Sequence, residues 1–273
     1  MLTVVFAHYS AEHHIRKSDI YYLTELKKIA TKIIFVSTSN LNPNEKQKLK
    51  DLCDVILTRP NQGLDFCSYQ LGLRHADLAG SDRLLLANDS VYGPIYPIKN
   101  IYQKFEQSSA DAYGQTISYE HQKHLQSYFM LFKPTAHQHP AFQAFWQKVE
   151  PLENKKQIIQ RYEIGLTQTL EQAGLLVDAL YNQQLNKAQQ AFAIIAQTQT
   201  KAWAKTSLKL LIKLLKGQDL NLNPTHHLAK ELIKRYNAPL LKKELMDKNP
   251  HSIKLKTIQK RISAVQTNDT RTS

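Results

Sequence analysis

The first 90 residues alternate short apolar segments with segments in which apolar residues recur every three or four positions. The apolar segments predict strands at residues 3–8, 32–40, 54–60 and 82–89. The segments with helical periodicity predict helices at residues 16–30, 42–52 and 68–78. Strand–helix units of this length connect parallel strands through right-handed crossovers. The sequence therefore predicts an α/β fold whose central sheet is mainly parallel.

The pattern is less regular after residue 90. Further helices are predicted at residues 97–108, 139–150 and 154–174. Further strands are predicted at residues 111–119, 126–134 and 175–181. From about residue 185 onward the sequence is typical of helices alone. We therefore expect an α/β domain at residues 1–185, followed by a helical region at residues 186–273.

The positive charge of the chain is concentrated in that second region. The formal net charge is +13, and residues 201–273 carry 16 Lys and Arg against 5 Asp and Glu. A segment at 201–217 places lysines four residues apart, at Lys201, Lys205, Lys209 and Lys213. Its apolar residues lie on the other side of a helix, at Trp203, Leu210, Leu211 and Leu214. Such a helix suits an anionic membrane surface, but its apolar face could equally pack on the α/β domain.

Several classes of protein are disfavoured by the sequence. Cys53 and Cys67 have neither a zinc-ligand spacing nor the density of a disulfide framework, which fits a reducing compartment. The N-terminal residues lack the features of a secretory signal, and no apolar run approaches the ~18 residues of a membrane span. We therefore expect a cytoplasmic protein that can be peripheral to a membrane. Phosphate-binding P-loop, dinucleotide-binding and Ser/His/Asp motifs are absent.

Polar residues follow each of the first four predicted strands. In an open α/β sheet, ligands bind beyond the carboxyl ends of the strands. The candidate ligand-binding residues at these ends are His8, Ser37, Thr38, Ser39, Asn61, Gly63, Asp65, Asn88 and Ser90. The alternative is that these residues only form turns and helix caps, which favour the same residue types.

Asp89 directly follows the apolar run of the fourth strand, in the segment LLLANDSVYGP. A carboxylate at a strand end can hold a divalent cation, Mg²⁺ or Mn²⁺, that bridges a diphosphate. Its neighbours Asn88 and Ser90 offer only neutral oxygens, so the ligand set is incomplete. The alternative is that Asp89 forms a turn.

Glu163, within the predicted helix at 154–174, is a candidate general base if it faces the crevice. The alternative is a solvated acid that stabilises a helix terminus. Tyr162 precedes it, and His124, Gln126 and Ser127 stand at the start of a strand where they could face a sugar. These four residues form a second candidate binding set.

Four ordered segments resemble the rhamnan synthesis protein F family of bacterial polysaccharide glycosyltransferases. They are NQGLDFCSYQLGL, LLLANDSVYGP, HLQSYFMLF and YEIGLTQTLEQAG, and the likeness continues through NPTHHL and APLLKKELMDKNP. The layout is more distantly similar to inverting GT-A glycosyltransferases, which implies a GT-A-like nucleotide-diphosphosugar-binding domain. Asn88 stands where those enzymes carry the first acid of their metal motif, and Ile164 stands where they carry an Asp.

The resemblance implies a transfer reaction at the anomeric carbon of an activated sugar. Glu163 would deprotonate the acceptor hydroxyl, and Asp89, with or without a cation, would stabilise the departing diphosphate. The donor implied is a nucleotide-diphosphate sugar, with L-rhamnose as the sugar. The acceptor implied is a growing surface polysaccharide or a lipid-linked glycan. On this interpretation the candidate residues at the strand ends bind the donor, and the acceptor-binding residues are His124, Gln126, Ser127 and Tyr162.

Two other classes of function fit parts of the sequence. A noncatalytic nucleotide-sugar-binding or scaffold subunit fits the departure at Asn88. A nucleic-acid-binding protein fits the net charge, but the basic region offers few aromatic residues besides Trp203 and Tyr236 on which bases could stack. We therefore expect no nucleic-acid partner.

Overall fold

The computed structural model describes residues 1–197, 201–218, 220 and 222–247. Its strands are β1 (Leu2–His8), β2 (Lys32–Ser37), β3 (Val55–Thr58), β4 (Arg83–Asn88), β5 (Val91–Tyr92), β6 (Ala112–Ser118), β7 (His124–Leu125), β8 (Phe129–Phe132), β9 (Val177–Tyr181) and β10 (Leu241–Lys242).

Helices follow most of these strands along the chain. They are α1 (Lys17–Lys27), α2 (Pro43–Gln47), α3 (Leu64–Leu73), α4 (Ile98–Gln107), α5 (Pro134–His137), α6 (Pro140–Gln147), α7 (Lys155–Ile158), a π-helix (Ile159–Ile164), α8 (Gly165–Gln172), α9 (Lys187–Gln197), α10 (Lys201–Leu215), α11 (Pro224–His227), α12 (Ala229–Tyr236) and α13 (Lys243–Asp247).

One large sheet organises the α/β part of the chain. Its strand order is β3-β2-β1-β4-β8-β6-β7, and β9 pairs with β6. Strands β1 to β4 pair in parallel, as does β9 with β6, whereas β8 runs antiparallel to both of its neighbours. The predicted α/β fold with a mainly parallel sheet is confirmed. The antiparallel β8 brings the segment before it to the carboxyl end of β4.

The sheet is buried on both faces. Successive residues of a strand point to opposite faces, so Val5 and Ala7 of β1 face one side while Val4 and Phe6 face the other. Helices α3, α6 and α8 cover the first side, and α1 and α4 cover the second. Burial on both faces explains why the strands are apolar throughout rather than alternating.

Helix α3 begins four residues earlier than predicted. Gly63 has a left-handed backbone (φ 69°), and the helix starts immediately after it at Leu64 rather than at Ser68. A side chain at position 63 would meet the Cys67 sulfur at 2.3 Å, so glycine is required both for the turn and for the packing. Asp65 consequently lies in the first turn of α3 and not in the loop before it.

The helix predicted at 154–174 is interrupted by the π-helix. A π-helix contains an extra residue per turn, which shifts the faces of the helix relative to a continuous α-helix. The shift occurs at Ile159–Ile164, the segment that contains Glu163. The predicted C-terminal end is confirmed, because Gly174 has a left-handed backbone (φ 79°) just beyond α8.

The sequence predicted that the region after residue 185 is entirely helical. This prediction is wrong, because β10 pairs antiparallel with β5. The Gln115 side chain anchors the same segment by donating to the Leu240 carbonyl (2.8 Å) and accepting from the Leu240 amide (2.9 Å). Residues 240–243 are therefore held against the carboxyl end of β4. The division at residue 185 stays a prediction, and residues 248–273 of the second region lie outside the described residues.

Helix α10 has both a buried and an exposed apolar side. Leu214 is buried, whereas Leu208, Ile212 and Leu215 are exposed at a spacing that places them on one face. The side chains of Lys201, Trp203 and Lys205 lie outside the described residues. None of the described helices combines the length and apolar character needed to cross a bilayer.

Close packing of α3 on the sheet predicts a stability effect at Gly72. A methyl group at this position would lie 2.2 Å from Cγ1 of Val5, so we expect Gly72→Ala to lower the free energy of unfolding by about 1–3 kcal/mol. Gly165→Ala is the matched control, because its nearest neighbours lie at 3.7 Å or more. Urea denaturation should show destabilisation for the first variant alone; equal stability of the two would contradict the packing of α3.

Candidate functional site

A cavity of about 370 Å³ lies at the carboxyl ends of β1, β2 and β4. It brings together eight of the residues predicted from the sequence: His8, Thr38, Asn61, Asp65, Asp89, Ser90, Ser127 and Glu163. Its remaining lining residues are Tyr9, Leu64, Phe66, Ser68, Lys155, Ile158, Ile159 and Lys242. Polar and charged groups thus converge on a space of the size that small-molecule sites occupy.

Arg59 organises the loop that enters the cavity wall. Its guanidinium donates to the carbonyls of Pro60 (2.8 Å) and Gln62 (2.5 Å) and also to that of Leu64. A further bond joins its Nε to Ser68 Oγ at 2.9 Å. One side chain therefore connects the end of β3 to the first turns of α3. This contact holds Asn61 and Asp65 at the cavity.

Asp65 is hydrogen-bonded across the cavity wall to the end of β4. Its Oδ2 accepts from the Asn88 side-chain amide at 2.7 Å, and the Asn88 oxygen accepts from the amide (3.0 Å) and hydroxyl (2.5 Å) of Ser90. Burial, reinforced by the charge of Asp89, raises the pKa of Asp65 to about 6. Asn88 is thus used to orient Asp65 and Ser90.

Glu163 faces the cavity from the π-helix. Its Oε1 accepts a hydrogen bond of 2.7 Å from the backbone amide of Ser127, which precedes β8. The bond gives the carboxylate a defined orientation and leaves its second oxygen available to a ligand. The predicted condition for a general base, that Glu163 faces the crevice, is met.

Asp89 belongs to a buried cluster with His8 and Asp19, whose ligand atoms lie within 4.8 Å of one another. Imidazole and carboxylate groups in this arrangement suit a divalent cation by type. The ammonium of Lys243 also reaches the cluster, at 2.9 Å from Asp19 Oδ1 and 3.9 Å from Asp89 Oδ2. The donor set therefore fits a metal ion only if Lys243 is displaced.

The pKa values of Asp89 and Asp19, the two carboxylates of this cluster, shift in opposite directions. Burial raises the pKa of Asp89, and the charge of Lys243 offsets this only in part. Burial would also raise the pKa of Asp19, but its bond to His8 and the charge of Lys243 outweigh burial and lower that pKa. The Lys243 ammonium is thus most closely associated with Asp19.

Together with the exposed Lys155, Lys242 lines the cavity. Its ammonium donates to Ser90 Oγ (3.1 Å) and lies 4.6 Å from the centre of the Tyr128 ring. Burial lowers the pKa of Lys242, although Glu163 and Asp65 partly counteract it. The described lining of the cavity therefore contains two ammonium groups, those of Lys155 and Lys242, and three carboxylates.

Tyr162 does not reach the cavity, contrary to its predicted place beside the acceptor. Its ring packs on Phe66 and Phe145, and its hydroxyl donates to the carbonyl of Glu150 at 2.9 Å. Tyr162 is buried in the apolar core beneath α3 and α6, whereas its neighbour Glu163 lines the cavity. Tyr162 is a core residue in this structure.

Other predicted residues lie behind the cavity wall. Ser37 bonds to His8 Nδ1 (3.0 Å), and Ser39 bonds to the backbone of Ser10, so both brace the loops after β1 and β2. His124 is buried in β7, and its Nδ1 lies 2.7 Å from the Gln122 carbonyl oxygen. The Gln126 side chain binds Thr116 and Asn223. The structure does not bring the side chains of His124 and Gln126 to the cavity.

Sequence reasoning missed Asp19, Arg59, Lys242 and Lys243. Asp19 occupies the third position of α1, where an acid is expected for capping alone. The lysine pair belongs to the segment APLLKKELMDKNP, which carried part of the family resemblance. That segment was the available signal for a contribution from the C-terminal region.

Solved structures that resemble this chain are transferases of low sequence identity. A putative nucleotide-diphospho-sugar transferase from Desulfovibrio desulfuricans is 11% identical, with a TM-score of 0.40, over 86% of this chain and 97% of that one. Glucosyl-3-phosphoglycerate synthase from Mycobacterium tuberculosis, in complex with Mn²⁺, UDP and glucosyl-3-phosphoglycerate, is 9% identical, with a TM-score of 0.42. The latter match covers 72% of this chain and 76% of that one.

Two curated relatives match at the level of sequence. Virulence protein VirA of Vibrio anguillarum is 31% identical over 207 residues, which are 72% of this chain and 64% of the relative. An uncharacterized protein of Sinorhizobium fredii, y4gN, is 28% identical over 155 residues, which are 55% of this chain and 40% of the relative. The matched part of this chain thus spans less than two thirds of the length of either relative. The family model for rhamnan synthesis protein F matches residues 33–269, and the chain belongs to that family.

Proposed function

We propose that this protein transfers a sugar from a nucleotide-diphosphate donor to a glycan acceptor of a bacterial surface polysaccharide. The observation that carries the proposal is the convergence of Glu163, Asp65 and Lys242 on one cavity at the carboxyl ends of the parallel strands. An oriented carboxylate and a cation in one cavity are the groups that a displacement from a diphosphate requires. Membership of the rhamnan synthesis protein F family supports this class of reaction.

The proposed reaction is a direct, inverting displacement. Glu163 takes the proton of the acceptor hydroxyl while that oxygen forms a bond to the anomeric carbon of the donor sugar. The bond between the anomeric carbon and the diphosphate oxygen breaks, and its electron pair leaves with the nucleoside diphosphate. The amide of Ser127 supports the base by holding one oxygen of Glu163, so the other can receive the proton.

The donor is proposed to be a nucleotide-diphosphate L-rhamnose. Asn61, Asp65 and Ser90 line the cavity with groups that can bind the hydroxyls of a sugar. The family name supports rhamnose, and the number of side-chain acceptors in the cavity supports a polar ligand. The acceptor is proposed to be a polysaccharide or lipid-linked glycan that enters beside Glu163.

A noncatalytic sugar-binding subunit is the second candidate function. It is favoured by Asn88, which stands where related enzymes carry an acid and whose amide is already bonded to Asp65. The two candidates differ at Glu163, because binding of a donor requires no general base. Substitution at that position therefore separates them.

Replacement of the proposed base should abolish most of the activity. We expect Glu163→Gln to reduce the rate of sugar transfer by about 10²–10⁴-fold, because the amide cannot accept the proton. Transfer of radiolabelled sugar from nucleotide-diphosphate rhamnose to native lipid-linked glycan measures the rate. The donor affinity of the variant should stay within a few-fold of the wild type.

Glu153→Gln is the matched control, because Glu153 is exposed and does not line the cavity. Its transfer rate should equal that of the wild type. If the Glu163 variant also transfers sugar at the wild-type rate, Glu163 is not the base. If the wild type binds donor but transfers nothing, the sugar-binding subunit is the better description.

Asp65 should show a trade-off between donor binding and stability. Its folded pKa of about 6 lies above the ordinary 3.8, so the folded chain binds the extra proton and loses stability as the pH rises from 4 through 6. We expect Asp65→Asn to raise the melting temperature at pH 7.5, with little change near pH 4, and to weaken donor binding. A variant at the exposed Asp51, Asp51→Asn, should do neither. Equal gains for Asp65→Asn at both pH values would contradict the shift.

We further propose that α10 attaches the protein to the inner face of the cell membrane. Leu208 and Leu215 are 60% and 87% exposed and, with Ile212, form an apolar stripe. Lys209, Lys213 and Lys216 are also exposed and lie along one edge of that stripe. Apolar residues bordered by lysines suit the boundary between acyl chains and anionic headgroups. This position would place the cavity near a lipid-linked acceptor.

Neutralising the lysines of α10 should weaken membrane binding. We expect the triple variant Lys209→Gln, Lys213→Gln, Lys216→Gln to lose most of its co-sedimentation with vesicles that contain phosphatidylserine. The control variant carries glutamine at three exposed lysines elsewhere, Lys99, Lys104 and Lys148. Equal losses for both variants would indicate a general charge effect, and no loss for either would exclude α10 as the attachment site.

A further inference from the structure

Lys243 is buried among side chains that resemble a metal-binding set. Its ammonium donates to Asp19 Oδ1 at 2.9 Å and lies 3.9 Å from Asp89 Oδ2. Lys243 is 8% exposed and Asp19 is 2% exposed, so water contributes little to the balance of charge. A buried ammonium of this kind requires carboxylate partners. The lysine and the two acids are therefore one electrostatic unit.

A divalent cation would compete with Lys243 for the same carboxylate oxygens. The ligand atoms of His8, Asp19 and Asp89 lie within 4.8 Å of one another, and the ammonium already contacts two of these residues. A second cation in that space would lie within a few ångströms of the ammonium, in an environment that screens charge poorly. The Arg16 guanidinium, 3.9 Å from Asp89 Oδ2, adds to the repulsion.

We infer that Lys243 takes the place of the divalent cation in this site, and that Lys242 supplies the positive charge to the diphosphate of the donor. The inference rests on the proposed function for the identity of the ligand. It assigns different tasks to adjacent residues. Lys243 neutralises the acids at the ends of β1 and β4, and Lys242 faces the cavity.

Lys242 is positioned to bind an anion. Its ammonium is held by Ser90 Oγ at 3.1 Å and by the face of the Tyr128 ring at 4.6 Å. Neither partner carries a formal charge, so the ammonium keeps its charge available to a ligand in the cavity. A diphosphate that accumulates charge as the sugar leaves is stabilised by such a cation.

The backbone of the C-terminal segment gives both lysines a defined position. Lys242 pairs with Val91 in the β5–β10 ladder, and the Lys243 amide donates to the Ser90 carbonyl at 2.9 Å. Lys242 ends β10 and Lys243 begins α13, and their side chains reach different places, the cavity and the acids Asp19 and Asp89. The ladder begins two residues after Asp89, so the lysines and the acid are connected through a short, hydrogen-bonded path.

The wild-type protein provides the first test, by titration with Mn²⁺ followed by electron paramagnetic resonance. We expect no saturable Mn²⁺ site at His8, Asp19 and Asp89 in the wild type. Lys243→Ala should create a saturable site that binds Mn²⁺ at least tenfold more tightly than the wild type does. Adding Asp89→Asn to Lys243→Ala should remove that site. Lys234→Ala, at an exposed lysine, is the matched control and should behave as the wild type.

A wild-type Mn²⁺ site whose affinity falls at least tenfold in Asp89→Asn would overturn the inference, because an ion would then bind with Lys243 in place. Loss of a buried partner can prevent folding of Lys243→Ala, and the wild-type titration decides the question without that variant. The Mn²⁺ titration does not depend on sugar transfer. The titration therefore tests the inference even if the proposed function is wrong.

The role of Lys242 is tested with inorganic pyrophosphate by isothermal titration calorimetry. We expect the wild type to bind pyrophosphate with the same affinity, within twofold, in EDTA and in Mn²⁺ after correction for complexes of Mn²⁺ with pyrophosphate. Lys242→Met should weaken binding at least tenfold, and Lys234→Met should not. Tenfold tighter wild-type binding in Mn²⁺, or no binding by the wild type in either buffer, would overturn this role.

Discussion

The contact of Lys243 with Asp19 and Asp89 connects three distant parts of the chain. Asp19 lies in the first turn of α1, Asp89 directly follows β4, and Lys243 directly follows β10, so the contact closes the sheet edge with residues from both halves of the sequence. Two carboxylates buried this close repel each other unless a cation lies between them. Removing one partner from such a buried cluster costs about 3–5 kcal/mol. The polar edge of the sheet therefore depends on the C-terminal segment.

The cavity also contains ionisable groups whose pKa values burial shifts away from their ordinary ones. Burial raises the pKa of Asp65 to about 6 and also raises the pKa of Asp89, which means that both acids are held in surroundings that disfavour their charge. Lys242 is subject to the opposite effect, because burial lowers its pKa. Groups kept away from their preferred ionisation states are characteristic of functional sites. Burial of these ionisable groups lowers the free energy of unfolding, and the two apolar layers around the sheet must compensate for that loss.

Much of the site was predictable because the carboxyl ends of parallel strands share one edge of a sheet. That rule brings Asp65 and Asp89 together without any knowledge of side-chain contacts, whereas Glu163 lies on a helix and its role as base was implied by the family resemblance. It fails for Tyr162, because the π-helix decides which of two adjacent residues faces the cavity, and local propensity does not reveal a π-helix. It also misses Lys242, which lies 152 residues from its partner Ser90 and belongs to a segment with the composition of a helix.

Lys243 differs from a diffusible metal ion because its position depends on the folding of the chain. Lys243 can neutralise Asp19 and Asp89 only after the segment around β10 has folded back onto β5, so formation of the site and folding of that segment are one event. The family match extends without interruption from residue 33 to residue 269, across the predicted boundary at 185. Residues on both sides of that boundary form the same cavity. Changes in the C-terminal segment therefore affect the cavity as directly as changes at the strand ends.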